Sequence, residues 1–156
     1  MIKVLFLDVD GTLTDGQIYI GNEGEIFKSF HAHDAVGLRK LPENGIKTII
    51  ITGRKSNIVE IRAREMNITE VYQNIDNKKK KIQELIKRDN LSIDEIAYIG
   101  DDENDYEPML CCGNKACPKN ATSKIKEIAN FVSNYDGGYG AVREYCEYLL
   151  RLNKKN

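Results

Sequence analysis

The feature that most constrains this chain is an apolar run that stops abruptly at acids: residues 3 to 15 read KVLFLDVDGTLTD. Val4, Leu5, Phe6 and Leu7 are continuously apolar, the pattern of a strand buried on both faces of a parallel sheet. Asp8 and Asp10 lie two residues apart, so while the strand persists they point to one side, about 6.6 Å apart along it at about 3.3 Å per residue. Gly11 lets the backbone turn off the sheet, and ligands of open α/β sheets bind beyond the carboxyl ends of the strands. One aspartate beside Gly-Thr is commonly a turn cap. Two like charges after a fully apolar strand repel and resist burial unless a cation holds them, which points to a metal or phosphoryl site.

The rest of the chain supplies partners for that strand. Gln17 to Ile20 and Glu25 to Phe30, joined by Gly21-Asn22-Glu23-Gly24, read as a β-hairpin with Ile18, Ile20, Ile26 and Phe30 on its apolar faces. Asp34 is placed to cap a helix carrying Val36, Leu38 and Leu41, ended by Pro42 and Gly45. Ile46 to Thr52 is a second buried strand, left by Thr52-Gly53-Arg54, and Ile58, Ile61 and Met66 mark the next helix. Val71-Tyr72 is a short third strand. Lys78 to Ile86 is helical, with Ile82, Leu85 and Ile86 as its buried stripe. Glu95 to Ile99 forms a fourth strand that ends in Gly100-Asp101-Asp102. This alternation gives an α/β doubly wound, Rossmann-like sheet of parallel strands flanked by helices. A fifth strand at Asn114 to Cys117 is interrupted by Lys115, and Phe131-Val132 is a sixth. Gly137 to Gly140 is a flexible turn before a terminal helix that turns Val142, Cys146, Leu149, Leu150 and Leu152 inward, and the polar residues 153 to 156 are loose.

With 156 residues, residues 1–156 fit a single domain. Hydrophobic content of 41%, charged content of 30% and a formal charge of −1 describe an ordinary soluble protein with no bulk attraction for nucleic acid or membrane. A strand starting at Ile2 leaves no room for a signal peptide, and no apolar run approaches the roughly 18 residues of a membrane span, so a cytoplasmic location is expected. Cys111, Cys112, Cys117 and Cys146 lack metal or redox spacing and read as reduced and structural.

The motif D-V-D-G-T-L-T resembles the first motif of the haloacid dehalogenase superfamily of aspartate-nucleophile phosphatases. Thr52 matches the second motif, Lys78 the third, and G-D-D-E-N-D from Gly100 to Asp105 the fourth, in the family's order. The resemblance implies that Asp8 is the nucleophile and Asp10 the general acid and base. It gives Thr52 and Lys78 contacts to the phosphoryl group. It also implies Mg²⁺, held by Asp8, the backbone carbonyl of Asp10, and Asp101, with Asp102 and Asp105 supporting the site from behind.

T-D-G-Q-I-Y-I-G-N-E-G-E, F-H-A-H-D-A-V-G-L, I-T-G-R-K and G-G-Y-G-A-V-R-E further resemble the capless branch that acts on 3-deoxy-D-manno-octulosonate 8-phosphate and on related nine-carbon acids. A sugar-acid phosphate is therefore the expected substrate, with Gly53, Arg54, Arg62, His33 and Asp34 as candidates to bind it, and a homotetramer is implied. N-acylneuraminate or nonulosonate 9-phosphate is the alternative substrate. A receiver-like signalling module is a distant rival, because it would carry its phosphoacceptor on the third strand, where this chain has Val71-Tyr72-Gln73, and would lack the hairpin.

Overall fold

All four residues of β1 (Val4–Leu7) are buried, because both faces of the sheet are covered by helices. In the computed structural model, which describes residues 1–155, β1 pairs in parallel with β4 (Lys47–Ile51) on one side and β6 (Ile96–Ile99) on the other. β5 (Glu70–Tyr72) lies beyond β4, while β7 (Asn114–Cys117) and β8 (Phe131–Val132) lie beyond β6, giving the order β5-β4-β1-β6-β7-β8. The chain builds outward from β1 through β4 to β5, then returns to the other side at β6. The direction of winding therefore switches between β1 and β6, where α/β sheets open a crevice.

Alternate residues of β1 feed two cores, as the period of two requires. Leu5 and Leu7 pack with Leu38 and Leu41 of α1 (Ala32–Glu43), Val59 and Ala63 of α2 (Asn57–Glu65), and Val142, Tyr145 and Leu149 of α6 (Ala141–Lys154). Val4 and Phe6 pack with Ile82 and Leu85 of α3 (Lys78–Arg88), Met109 of α4 (Tyr106–Leu110) and Ile125 of α5 (Ser123–Ile128). Between β1 and α1, β2 (Tyr19–Gly21) and β3 (Gly24–Phe27) form a separate antiparallel pair. A Thr14–Phe30 bridge closes its base, and Ile20, Ile26 and Phe27 are exposed.

Several expectations are corrected. Both strands of the hairpin are shorter than the sequence suggests, because Gln17, Ile18 and residues 28 to 30 lie outside the ladder. The stripe of α2 is Val59 and Ala63, and Ile61 is exposed. Lys115 does not interrupt β7: its amide accepts no penalty because it donates to Asn130 Oδ1 at 2.9 Å, and its ammonium reaches the Cys112 carbonyl at 3.1 Å. Gly137 and Gly138 are packed rather than free, since a Cβ on Gly137 would strike the Gly11 carbonyl and the Gly138 amide donates to Thr12 O. Asn153 is pinned as well, exchanging two hydrogen bonds with the Ile2 backbone. Of the tail expected to be loose, Asn156 lies outside the described residues.

Asp34 does not cap its own helix. His31 is the N-cap of α1, and Asp34 Oδ1 instead accepts from the Arg143 amide at 2.9 Å, in the first turn of α6, whose own N-cap is Gly140. Burial raises the Asp34 carboxyl from 3.8 to about 6. The unfolded chain thus loses this proton before the folded chain does, so the group lowers stability as pH rises from about 4 through 6. The expected loss from this group is about 2 to 3 kcal/mol between pH 4 and 7, at about 1.4 kcal/mol per pH unit. In urea titrations at both pH values, Asp34→Asn should remove that part of the loss; an identical pH dependence in the variant would refute it.

Candidate active site

Asp8 follows β1 and is buried, with Lys78 Nζ 2.9 Å from its Oδ1. Lys78 enters from the first turn of α3 and also donates to Asp105 Oδ1 at 2.9 Å. Asp105 is the hub behind the site. Its Oδ1 accepts a second bond from Tyr98 Oη at 2.6 Å, and its Oδ2 accepts the backbone amides of Asp101 at 2.9 Å and Asp102 at 3.3 Å. The loop after β6 is thereby folded around one buried carboxylate. Gly100 permits this, because a Cβ there would overlap the Asp105 side chain.

Two threonines of the first motif shape the opposite wall. Thr12 Oγ1 donates to Asp101 Oδ1 at 3.0 Å, and Thr14 Oγ1 accepts the amides of Gly11 at 3.1 Å and Gly16 at 3.2 Å. Gly11 sits at φ +84°, and a Cβ there would run into the Asp101 carboxylate. Only glycine suits both conditions.

Asp8, Asp101 and Asp105 each place a carboxylate oxygen within 4.8 Å of the others. Lys78 is the ammonium that pairs with two of them. Three carboxylates against one ammonium leave a local excess of two negative charges when all are ionised. The consequence is visible in the acids: burial, reinforced by Asp105, pushes Asp8 well above the usual carboxylate range, and burial with Asp105 raises Asp101 to about 7. Burial opposes the charge on Lys78, but Asp8 and Asp105 outweigh it and hold the ammonium above its usual range. A hard dication with oxygen ligands fits this charge and donor set. Asp105 already accepts four bonds, so the oxygens left to meet such an ion are those of Asp8 and Asp101.

The open cleft measures about 200 Å³ and is lined by Asp8, Asp10, Thr52, Gly53, Arg54, Asp101, Asp102 and Asn104. The structure therefore brings together the sequence candidates at the ends of β1, β4 and β6, with Lys78 and Asp105 beneath them. Arg54 Nε stands 4.0 Å from Asp10 Oδ2 at the rim. Three candidates fall elsewhere. His33 lines a second cavity of about 620 Å³ with Tyr135, Tyr139 and Arg143. Asp34 is engaged with α6, and Arg62 pairs with Glu65 and donates to the His31 carbonyl. His33 and Asp34 lie inside the family-like segment F-H-A-H-D-A-V-G-L, and Arg62 follows Arg54 at about the spacing of two helical turns, which is why the sequence drew attention to them.

Lys28, Thr12, Tyr98 and Asn104 went unread. Thr12 and Asn104 lie inside the motifs themselves, so their positions offered a signal. Tyr98 looked like an ordinary residue of a buried strand, and Lys28 like an ordinary solvated lysine at the end of the hairpin.

Residues 55–143 match the model of the haloacid dehalogenase-like hydrolases. Over 154 residues the chain is 40% identical to the 3-deoxy-D-manno-octulosonate 8-phosphate phosphatase of Escherichia coli, covering 99% of this chain and 82% of that protein. The corresponding phosphatase of Moraxella catarrhalis, solved with magnesium, phosphate and KDO, superposes with a TM-score of 0.92 at 37% identity, covering 96% of this chain and 86% of that one. A cobalt-bound form from Haemophilus influenzae gives 0.91 at 33% identity, covering 96% and 88%. With this identity spread over nearly all its length, the chain belongs to the haloacid dehalogenase-like hydrolases, in the family of the 3-deoxy-D-manno-octulosonate 8-phosphate phosphatases.

Proposed function

We propose that this protein is a Mg²⁺-dependent phosphatase that hydrolyses 3-deoxy-D-manno-octulosonate 8-phosphate. The observation that carries the reading is the buried Asp8 carboxylate at a strand end, paired with Lys78 and facing Asp101 across a small cleft. The family's named activity supplies the substrate, which favours the eight-carbon acid over the nine-carbon alternative.

Asp8 attacks phosphorus in line with the leaving oxygen, forming an aspartyl-phosphate and splitting one hard displacement into two easier ones. Asp10 donates a proton to the departing sugar oxygen as its bond to phosphorus breaks, giving the sugar hydroxyl, then takes one from the water that cleaves the intermediate. Lys78 holds Asp8 in place and offsets charge on the transferring group, with Thr52 at the end of β4 as a further donor to it. Asp8, Asp101 and the Asp10 carbonyl hold the metal, with Asp102 and Asp105 shaping the loop behind. Bound there, Mg²⁺ supplies charge stabilisation to the phosphoryl oxygens.

Gly53 and Arg54 form the rim beside the cleft, where a planar fork of donors suits a sugar carboxylate. Arg54→Ala should lower kcat/KM for the sugar-acid phosphate by roughly 10- to 100-fold, the range of a charge-assisted contact. The generic ester p-nitrophenyl phosphate lacks that carboxylate and should suffer much less. Parallel losses on both would mean that Arg54 serves the phosphate or the fold.

A cleft of about 200 Å³ accommodates a phosphoryl group better than a whole eight-carbon acid, since pockets for such ligands run from about 300 Å³ upward. The remainder of the substrate needs another wall. We assign it to neighbouring copies: a single catalytic domain spanning residues 1–156 that assembles as a homotetramer through the exposed Ile20, Ile26 and Phe27 of the hairpin. Sedimentation at assay concentration should give a species of four chains, and a fully active monomer would contradict it.

A further inference from the structure

Lys28 leaves the end of β3 with a side chain only 2% exposed. An ammonium removed from water to that degree is costly unless it is paired. Its partners are two carboxylates: Nζ stands 2.6 Å from Asp10 Oδ1 and 3.1 Å from Glu25 Oε2. The second carboxylate is itself fastened to the main sheet. Glu25 Oε1 accepts from Ser56 Oγ at 2.5 Å, the Ser56 amide donates to Gln73 Oε1 at 2.7 Å, and Gln73 Nε2 returns to the Ser56 carbonyl at 3.1 Å. Burial opposes the charge on Glu25, but hydrogen bonds from Ser56 and Lys28 outweigh it and hold its carboxyl below the usual range. Ser56 stands just before α2 and Gln73 just after β5. An unbroken polar chain thus runs from the sheet, through the hairpin, to the Asp10 carboxylate.

Asp10 has need of such a hold. It sits at the start of a glycine turn with its side chain 22% exposed, and the other cation near it, Arg54, is 4.0 Å away at the rim and half exposed. A proton donor acts only within hydrogen-bond reach of the leaving oxygen, and a misplacement of about 1 Å can cost about 100-fold.

We infer that Lys28 is a positioning residue for the reaction: its ammonium grips Asp10 Oδ1, leaves Oδ2 on the side of Arg54 at the rim of the cleft, and so makes placement of the proton donor depend on the hairpin. The inference rests on the reading of Asp10 as the acid. The hairpin then serves two ends. Its outer surface carries the apolar residues offered to another copy, and its inner surface carries the ammonium that sets the acid. Residues 19 to 28 become part of the catalytic apparatus without touching the substrate.

The test separates proton donation from general structural damage through the leaving group. An alkoxide such as that of the sugar needs a proton as it departs, whereas p-nitrophenolate departs readily without one. Both esters require the same nucleophile, and kcat/KM reports steps only through the first irreversible transfer. In the full-length protein with Mg²⁺, Lys28→Met should lower kcat/KM for 3-deoxy-D-manno-octulosonate 8-phosphate by about 30- to 100-fold. The loss on p-nitrophenyl phosphate should be at least tenfold smaller. Glu25→Gln, which keeps the ammonium but loosens its anchor, should show the same selectivity at lower amplitude and carries the test if Lys28→Met does not fold.

Asp10→Asn is the control and should show the strongest selectivity. Selective loss in Asp10→Asn with equal losses, or none, in the Lys28 and Glu25 variants would overturn the inference alone. Equal losses on both esters in Asp10→Asn would overturn the reading of Asp10 and the inference with it.

Discussion

Asp8→Asn should reduce turnover by more than about 10⁴-fold, on the scale seen when a nucleophile is removed from a working site, while the protein stays folded. The amide fills the same space at the end of β1 but cannot be phosphorylated. Folding should tolerate it because the wild-type carboxylate is itself strained electrostatically: burial, Asp105 and Asp101 all oppose its ionised form, and Lys78 offsets only part of that. The substitution removes one of three clustered negative charges and leaves Lys78 paired to Asp105 at 2.9 Å. Acid quenching of turnover with labelled substrate should trap phosphate on Asp8 in the wild type and none in the variant. Label recovered on another residue would overturn the assignment of the nucleophile.

Lys78→Met carries the second large effect, and it should be felt in both activity and stability. The side chain is buried, and its ammonium bridges Asp8 and Asp105. Removing one partner of a buried ion pair costs about 3 to 5 kcal/mol, because the other is left uncompensated, and here two carboxylates are left. The sign of the pH dependence follows. Without the ammonium, Asp8, already held above the usual carboxylate range by burial and its acidic neighbours, keeps in the folded state a proton that the unfolded chain has released, so the penalty grows as pH rises and eases towards pH 5. Urea midpoints for wild type and variant at pH 5 and 8 should therefore diverge with pH. Equal midpoints at pH 8 would mean that Lys78 does not offset the cluster. Turnover in the variant should fall by at least about 10³-fold, as for removal of a major stabiliser of transition-state charge.

Much of this site was legible because its residues lie at strand ends. Asp8 and Asp10 follow an uninterrupted apolar strand, and Asp101 follows another, so strand order and the crevice rule place them together. Lys78 was legible only by resemblance, since nothing local distinguishes it from Lys79, Lys80 and Lys81. What the sequence does not show is contact at long sequence separation. Asp34 looked like the cap of the helix that contains it, yet it caps α6, and its partner Arg143 lies 109 residues on. His31 took the expected role instead, through the His33 amide at 3.2 Å. Lys28 was hidden for a related reason: the irregular segment after β3 has no period from which its direction could be read. Of the apolar residues that marked α2, Met66 reaches the core but Ile61 faces outward, while the smaller Val59 and Ala63 pack inward.

The central claim is tested most directly by phosphate release from a panel of esters, with Mg²⁺ present and after chelation. The panel comprises 3-deoxy-D-manno-octulosonate 8-phosphate, a nine-carbon keto-acid 9-phosphate, hexose phosphates and p-nitrophenyl phosphate. The proposed function predicts turnover highest on the eight-carbon acid, abolished by chelator and restored by Mg²⁺. Equal kcat/KM on the hexose phosphates, or turnover undiminished once the metal is removed, would contradict it.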